Sequence, residues 1–141
     1  MTDGCIFCQV VSGQIPTNLI YSDEKVIVFL DIKPANKGHA LVIPKKHYEN
    51  LNEIPADEVW HLFEVVQKVS KALEKSLDAE GYNVVMNNKR TAGQLIDHAH
   101  VHVIPRYKGD DMTIKLGWSY KGYEGNEMRE YGDKLRKGIK K

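Results

Sequence analysis

Three histidines separated by single apolar residues give this chain its clearest chemical signal. His98, His100 and His102 alternate with small or β-branched apolar residues. Side chains on a β-strand point alternately to its two faces, so this spacing predicts a strand with three imidazoles on one face and a core on the other. An imidazole titrates near neutral pH and can act as nucleophile, acid, base or metal ligand. Three purely structural histidines would each need a partner, so the pattern favours a catalytic or metal-binding surface.

A pair of cysteines near the start of the chain forms a second chemical feature. Cys5 and Cys8 have the Cys-x-x-Cys spacing with which two thiolates bind one tetrahedral zinc, although two further ligands would be needed. In a reducing compartment such a pair indicates metal or redox chemistry rather than a structural disulfide. Redox catalysis is the weaker alternative because the expected strand-to-helix context is absent.

Length and charge exclude several classes of protein. A chain of 141 residues with a formal net charge of +1 suits one domain with a single core and gives no electrostatic argument for nucleic-acid or membrane binding. Neither a leader pattern nor a membrane-spanning apolar stretch is evident, so we expect a cytoplasmic protein. A basic cluster at the C-terminus indicates a solvated helix face; it comprises Lys134, Arg136, Lys137, Lys140 and Lys141.

The elements that must position these groups follow from hydrophobic periodicity. Apolar runs over 26–30 and 39–43 predict two strands, and their short connection favours an antiparallel hairpin. Helical spacing predicts a long amphipathic helix over 57–77, ended by Gly81. A strand over 82–86, a polar loop over 87–94, the histidine strand and a last helix over 126–139 complete the order. This order predicts an α+β fold with a mostly antiparallel sheet. The apolar helix positions are Val59, Leu62, Phe63, Val66, Val69 and Leu73.

The segment from Gly93 to Ile104 resembles the signature of the histidine triad family, in which three histidines alternate with apolar residues. The resemblance continues, in order and spacing, through Ile6-Phe7, through residues 29–34 and through residues 38–45. It covers most of residues 5–107. It implies a HIT-like fold: a single domain over 1–141, with a core over 5–107 and a C-terminal tail over 108–141.

This resemblance implies nucleotide chemistry. Family members bind a nucleoside monophosphate unit and hydrolyse or transfer it through a covalent nucleotidyl-histidine. On this analogy His100 attacks the α-phosphorus, His102 contacts the phosphate or leaving group, and His39 belongs to a proton relay. A neutral imidazole is a competent nucleophile, and we expect a backbone carbonyl to hold its other ring nitrogen. The base is a purine by family habit, with adenosine preferred.

The same resemblance assigns the groups that would surround the nucleotide. Asp31 matches the residue that binds the ribose hydroxyls. Asn87 and Gln94 match positions that hydrogen-bond the phosphate or leaving group, and the Gly93 amide lies beside them as a possible oxyanion donor. The apolar walls around the base correspond to Phe7, Ile32 and Leu41.

A structural zinc is implied by comparison with prokaryotic family members. Those with an N-terminal Cys-x-x-Cys bind zinc through both cysteines, the first histidine of the triad and a histidine shortly after the segment that matches Pro44-Lys45 here. The matching residues here are Cys5, Cys8, His47 and His98. Four protein ligands would close the coordination sphere, so the zinc would orient the triad without activating water.

Departures from the eukaryotic pattern leave the leaving group open. Leu95 stands where Ser or Thr often contacts phosphate, Asp97 directly precedes the triad, and the Trp-Pro-Pro-Gly ending is absent, as in the prokaryotic branch. A phosphoramidate is the expected substrate class; a dinucleoside polyphosphate hydrolase, a metallohydrolase and a nucleotide-binding scaffold are the alternatives. Family members are homodimers through the long helix and the adjoining strand, where Trp60 and Phe63 could contribute.

Overall fold

The computed structural model describes residues 4–110 and 121–139. The predicted C-terminal tail therefore lies partly outside the described residues, as do Lys140 and Lys141. Within them, five strands form one sheet in the order β1-β2-β3-β5-β4, with every neighbouring pair antiparallel. This confirms the predicted α+β fold and its antiparallel sheet. The strands are β1 (Leu19–Ser22), β2 (Val26–Leu30), β3 (Ala40–Pro44), β4 (Gly81–Val85) and β5 (Val101–Arg106).

In the described part of the chain, three α-helices accompany the sheet: α1 (Ile6–Val11), α2 (Ala56–Leu77) and α3 (Glu127–Ile139). The predicted long and C-terminal helices are confirmed, with α2 carrying acidic residues in its first turn, where they favour the helix dipole. The predicted end of α2 at Gly81 is wrong. Asp78 adopts the left-handed conformation with φ 56° and ends the helix, because a short polar side chain tolerates that conformation; Gly81 instead begins β4.

Helix α2 packs on one face of the sheet and α1 on the other. Val26 and Val28 of β2 join the larger core under α2, whereas Ile27 and Phe29 join the smaller core beside α1. This alternation follows from the two-residue period of a strand. The buried stripe of α2 consists of Leu62, Val65, Val66, Val69, Ser70 and Leu73.

The sequence pattern did not predict three features of the fold. Helix α1 and strand β1 have only six and four residues, too few to establish a period. The histidine strand begins at Val101, so His98 and His100 precede it. The Ala99 amide donates to the Tyr48 carbonyl rather than to a sheet neighbour, which explains the later start. No helix in the described ranges is both long and apolar enough to cross a membrane.

Candidate active site and metal centre

The structure brings the triad imidazoles together on the α1 side of the sheet. The rings of His100 and His102 have centroids 5.0 Å apart, and Phe7 of α1 meets His98 and His100 edge-on at 5.9 and 5.1 Å. The intervening Ala99 and Val101 lie in the core under α2. The predicted alternation of imidazole and core faces therefore holds even though the regular strand starts late.

One ring nitrogen of His100 is bound to the backbone. Its Nδ1 lies 2.7 Å from the His98 carbonyl, which can only accept, so Nδ1 carries the proton. The other nitrogen, Nε2, then holds a lone pair, and among the described residues it has no hydrogen-bond partner. Burial lowers the pKa of His100, which keeps the ring neutral. A neutral, oriented imidazole with one lone pair is a nucleophile.

His39 and His102 form a second imidazole pair next to His100. Their Nε2 and Nδ1 atoms are 2.9 Å apart, and the Ala35 backbone N–H donates to Nδ1 of His39 over 3.0 Å. Burial lowers the pKa of both rings, that of His102 to about 4, with smaller contributions from His100 and His39 to the shift at His102. Both side chains are therefore neutral at neutral pH.

Asp31 lies at the edge of this pair. Its Oδ2 atom is 3.7 Å from Nε2 of His39, and its Oδ1 accepts from the Lys33 backbone N–H at 2.9 Å. The side chain is 23% exposed, so it can reach a ligand from solvent. Of the predicted apolar walls, Phe7 and Leu41 are each 5% exposed, whereas Ile32 is 86% exposed beside Asp31.

The polar loop before the triad is held by Gln94. Its Nε2 donates to the carbonyls of Glu49 and Ile96, and its Oε1 accepts from the Lys89 backbone N–H. The residue is 2% exposed, and both of its amide hydrogens are used inside the protein. Gly93 has φ 94° and lies against the Asn87 carboxamide, which a Cβ at Gly93 would meet at 3.7 Å.

Cys5, Cys8, His47 and His98 form a cluster that could hold a metal ion. Cys5 caps the N-terminus of α1 and Cys8 lies one turn further on, so both thiols face His98. Four ligand–ligand distances fall between 3.2 and 3.5 Å. For comparison, tetrahedral zinc with these donors has edges of roughly 3.3–3.8 Å.

The orientation of His98 also suits a metal. Its Nε2 donates to the Pro44 carbonyl at 2.8 Å, which leaves the lone pair on Nδ1, the atom facing the thiols. Burial lowers the pKa of His98 to about 4, with smaller contributions from His47 and His100. Burial also raises the pKa of Cys8 to about 11, which favours the protonated thiol. Coordination to a dication would deprotonate it. Two thiols and two imidazoles form a donor set that fits zinc.

Some groups that organise the site have no sequence signal. The carbonyls of Pro44 and His98 and the amide of Ala35 act through backbone atoms that every residue type carries. The predicted backbone carbonyl beside His100 is confirmed at His98, whereas the backbone groups that fix the tautomers of His98 and His39 become visible only in the folded chain.

Comparison with known proteins establishes the family. Residues 12–109 match the HIT domain family. Protein hit of Bacillus subtilis is 44% identical over 138 residues, covering 97% of this chain and 95% of that protein. The adenosine 5′-monophosphoramidase of Candida albicans is 36% identical over 141 residues, covering 97% and 92%. This chain therefore belongs to the histidine triad family, as its sequence predicts.

Solved structures agree with this assignment. A Streptococcus mutans protein superimposes with a TM-score of 0.90 at 38% identity, over 99% of this chain and 88% of that one. A zinc-bound histidine triad family protein from Mycobacterium smegmatis superimposes with a TM-score of 0.74 at 34% identity, over 96% and 97%. The predicted HIT-like fold is confirmed.

Proposed function

We propose that this protein hydrolyses a purine nucleoside monophosphate derivative at its α-phosphorus through a covalent nucleotidyl-His100 intermediate. The observation that carries the proposal is His100 itself: Nδ1 is tied to a backbone carbonyl and Nε2 keeps its lone pair beside His102. The adenosine 5′-monophosphoramidase among its relatives supports a phosphoramidate of adenosine as the substrate class.

The reaction has two displacements at phosphorus. In the first, the Nε2 lone pair of His100 forms a bond to phosphorus, and the bond to the leaving group breaks with its electron pair on that group, which takes up a proton from solvent. In the second, water attacks phosphorus, the P–N bond breaks, the electron pair returns to Nε2, and the water loses a proton to solvent. The sum is substrate plus water giving the monophosphate and the protonated leaving group. The covalent intermediate divides one difficult substitution into two easier ones.

The surrounding residues would bind and orient the nucleotide. His102 donates to the phosphate or leaving group, with His39 behind it. Asp31 accepts from the ribose hydroxyls, and its position at the rim of the site supports this role. In this proposal the Gly93 amide and Asn87 face the phosphate, while Gln94 contributes by holding their loop. The walls around the base are Phe7, Ile32 and Leu41.

We also propose that zinc occupies the Cys5–Cys8–His47–His98 cluster as a structural ion. The ion would hold the Nδ1 face of His98, whose own carbonyl holds His100. Its chemical contribution is to fix four side chains, since four protein ligands leave no position for water. The two unpaired cysteines in this cluster support a reducing, cytoplasmic location.

A homodimer is the assembly we propose. Strand β4 lies at one edge of the sheet, with Tyr82 and Val84 at 43% and 42% exposure, and Trp60 of α2 is 75% exposed. An open edge strand without charged side chains invites pairing with a second chain. A two-fold pair would cover this edge in both copies at once.

Release of AMP from an adenosine 5′-phosphoramidate tests the proposed function. We expect turnover by the zinc-loaded wild type and at least a thousandfold lower turnover by His100→Ala, with both proteins folded by circular dichroism. Equal turnover by the two proteins would remove His100 from the chemistry and favour a metal-centred hydrolase. Tight AMP binding without turnover by the wild type would favour a nucleotide-binding scaffold.

A further inference from the structure

The direction of the hydrogen-bond chain behind the nucleophile is fixed by a backbone group. The Ala35 N–H points at Nδ1 of His39 with a donor–acceptor distance of 3.0 Å. An N–H can only donate, so this nitrogen of His39 must offer its lone pair. A neutral imidazole carries its proton on the other nitrogen, here Nε2.

The proton on Nε2 of His39 also determines the tautomer of His102. Nε2 of His39 is 2.9 Å from Nδ1 of His102, and with the proton on His39 the acceptor is His102. His102 then carries its own proton on Nε2. Among the described residues that atom has no hydrogen-bond partner, so the donor is available to a ligand beside His100.

We propose that the Ala35 amide is a positioning group that holds His39 and His102 in the tautomers that make His102 a hydrogen-bond donor to the leaving atom. This inference rests on the proposed function for its ligand, but the tautomers themselves do not depend on it. His102 stabilises the charge that develops on the leaving atom, and no net proton has to pass along the chain. Asp31, 3.7 Å from Nε2 of His39, favours the proton on the same atom.

The turn that carries Ala35 is anchored on both sides. The Asn36 side chain donates to the Pro105 carbonyl at 3.0 Å and to the Asp110 carboxylate at 2.8 Å. The His39 backbone N–H donates to the Asn36 carbonyl, and the Asp31 backbone N–H donates to the His39 carbonyl. These bonds tie the turn to the C-terminal end of β5, so the Ala35 N–H stays directed at Nδ1 of His39.

Asp31, His39 and His102 form a second cluster, and the tautomer of His39 makes this cluster unsuited to a metal. The ligand atoms of Asp31, His39 and His102 lie within 4.8 Å of one another, a grouping that could hold a metal. Coordination through Nε2 of neutral His39 would place the proton on Nδ1, facing the Ala35 N–H. Two donors would then oppose each other, which disfavours a metal here. Of the two clusters among the described residues, only Cys5–Cys8–His47–His98 is therefore expected to hold a metal ion.

Nitrogen-15 NMR of the histidine side chains in the full zinc-loaded protein tests the tautomers without reference to activity. We expect protonated Nε2 and unprotonated Nδ1 on both His39 and His102 at neutral pH, and protonated Nδ1 on His100. A proton on Nδ1 of His39 would overturn the proposal. Metal analysis after zinc loading gives a second readout, and two bound zinc ions per chain, with the second lost in His39→Gln, would also overturn it.

A single-atom change at residue 35 tests the consequence for turnover. Replacing Ala35 by L-lactate exchanges the N–H for an ester oxygen, and Ala35→Gly is the matched variant that keeps the N–H. With an alkylamine leaving group, we expect the L-lactate variant to turn over about tenfold more slowly than the wild type, which is the effect of one hydrogen bond. With p-nitrophenol as the leaving group we expect little change, because p-nitrophenolate departs without a hydrogen-bond donor. Equal losses with both leaving groups would indicate a merely structural role and contradict the proposal. Absence of turnover by the wild type would instead refute the proposed function, and the NMR result would stand separately.

Discussion

At the scale of single residues, the site is organised by backbone groups that select among imidazole tautomers. The carbonyls of Pro44 and His98 accept from His98 and His100, respectively, and the Ala35 amide donates to His39. Each bond leaves a defined lone pair or proton on the far nitrogen. Four chemically identical side chains can therefore serve as metal ligand, nucleophile, donor and support.

Burial of neutral His102 predicts an acid-sensitive fold. The pKa of His102 is about 4 in the folded protein, mainly because of burial, against about 6.5 for an unperturbed histidine. Between these pH values the unfolded chain binds more protons, so the free energy of unfolding falls as the pH is lowered from about 6.5 towards 4. Urea unfolding across this range should show a weaker pH dependence for His102→Gln than for the wild type.

His61 provides the matched control. Hydrogen bonds to Asp23 and Glu64 raise its pKa, so its contribution to stability is present at low pH and is lost as the pH rises through the raised value. His61→Gln should therefore destabilise the protein more at low pH than above neutrality. Identical pH dependences for His102→Gln and the wild type would show that His102 is not a buried neutral group.

At the scale of elements, long periodic segments were predictable and short ones were not. The sequence placed β2 and α2 within a residue of their observed bounds because their apolar residues repeat over enough positions. It could not foresee α1, or that Asp78 rather than Gly81 caps α2 in the left-handed conformation, because each depends on local hydrogen bonds rather than on a period. The Cys5–Cys8–His47–His98 cluster brings together the N-cap and first turns of α1 with histidines about 40 and 90 residues away, and only the family resemblance grouped these residues.

The turn before β3 gives a test at this scale. Gly38 has φ 100°, and a Cβ there would lie 2.8 Å from Cδ1 of Leu77 and 3.2 Å from Cγ of Pro105. Gly38→Ala should lower the free energy of unfolding by about 2–3 kcal/mol, mainly from left-handed backbone strain and in smaller part from overpacking at Pro105, because the half-exposed Leu77 side chain can rotate away. Denaturant titration measures this loss.

Gly13→Ala separates the two causes. Gly13 also has a positive φ of 85°, but a Cβ there would meet nothing within 4 Å, so only the backbone cost of about 1–2 kcal/mol is expected. Equal losses for the two variants would show that the contacts of Gly38 with Leu77 and Pro105 do not contribute.

At the scale of the whole molecule, the proposed zinc ties the N-terminal helix to the segment that carries the nucleophile. Metal removal should lower the free energy of unfolding by about 3 kcal/mol or more, since a tight ligand stabilises the folded state it binds. Chelation followed by calorimetry tests this, and added zinc should restore the stability of the wild type but not of Cys8→Ser. Full stability of the metal-free wild type would contradict a structural ion.

The open edge of the sheet gives a test of assembly. Lysine at position 84 would place a charge on the exposed edge strand, so Val84→Lys should shift the mass measured by light scattering from dimer to monomer. Leu95→Lys is the control, because that side chain is 77% exposed in the loop before the triad rather than on β4. A monomeric wild type, or a Val84→Lys variant that stays dimeric, would argue against pairing through β4.

The central claim is that Nε2 of His100 forms a bond to phosphorus, and intact-protein mass spectrometry after rapid acid-free quenching tests it most directly. The zinc-loaded wild type, mixed with an adenosine 5′-phosphoramidate, should gain the mass of one adenylyl group within a single turnover, and peptide mapping should place it on His100. The adduct should be absent from His100→Ala. Turnover by the wild type with no adduct at any time, or an adduct on another residue, would contradict the account.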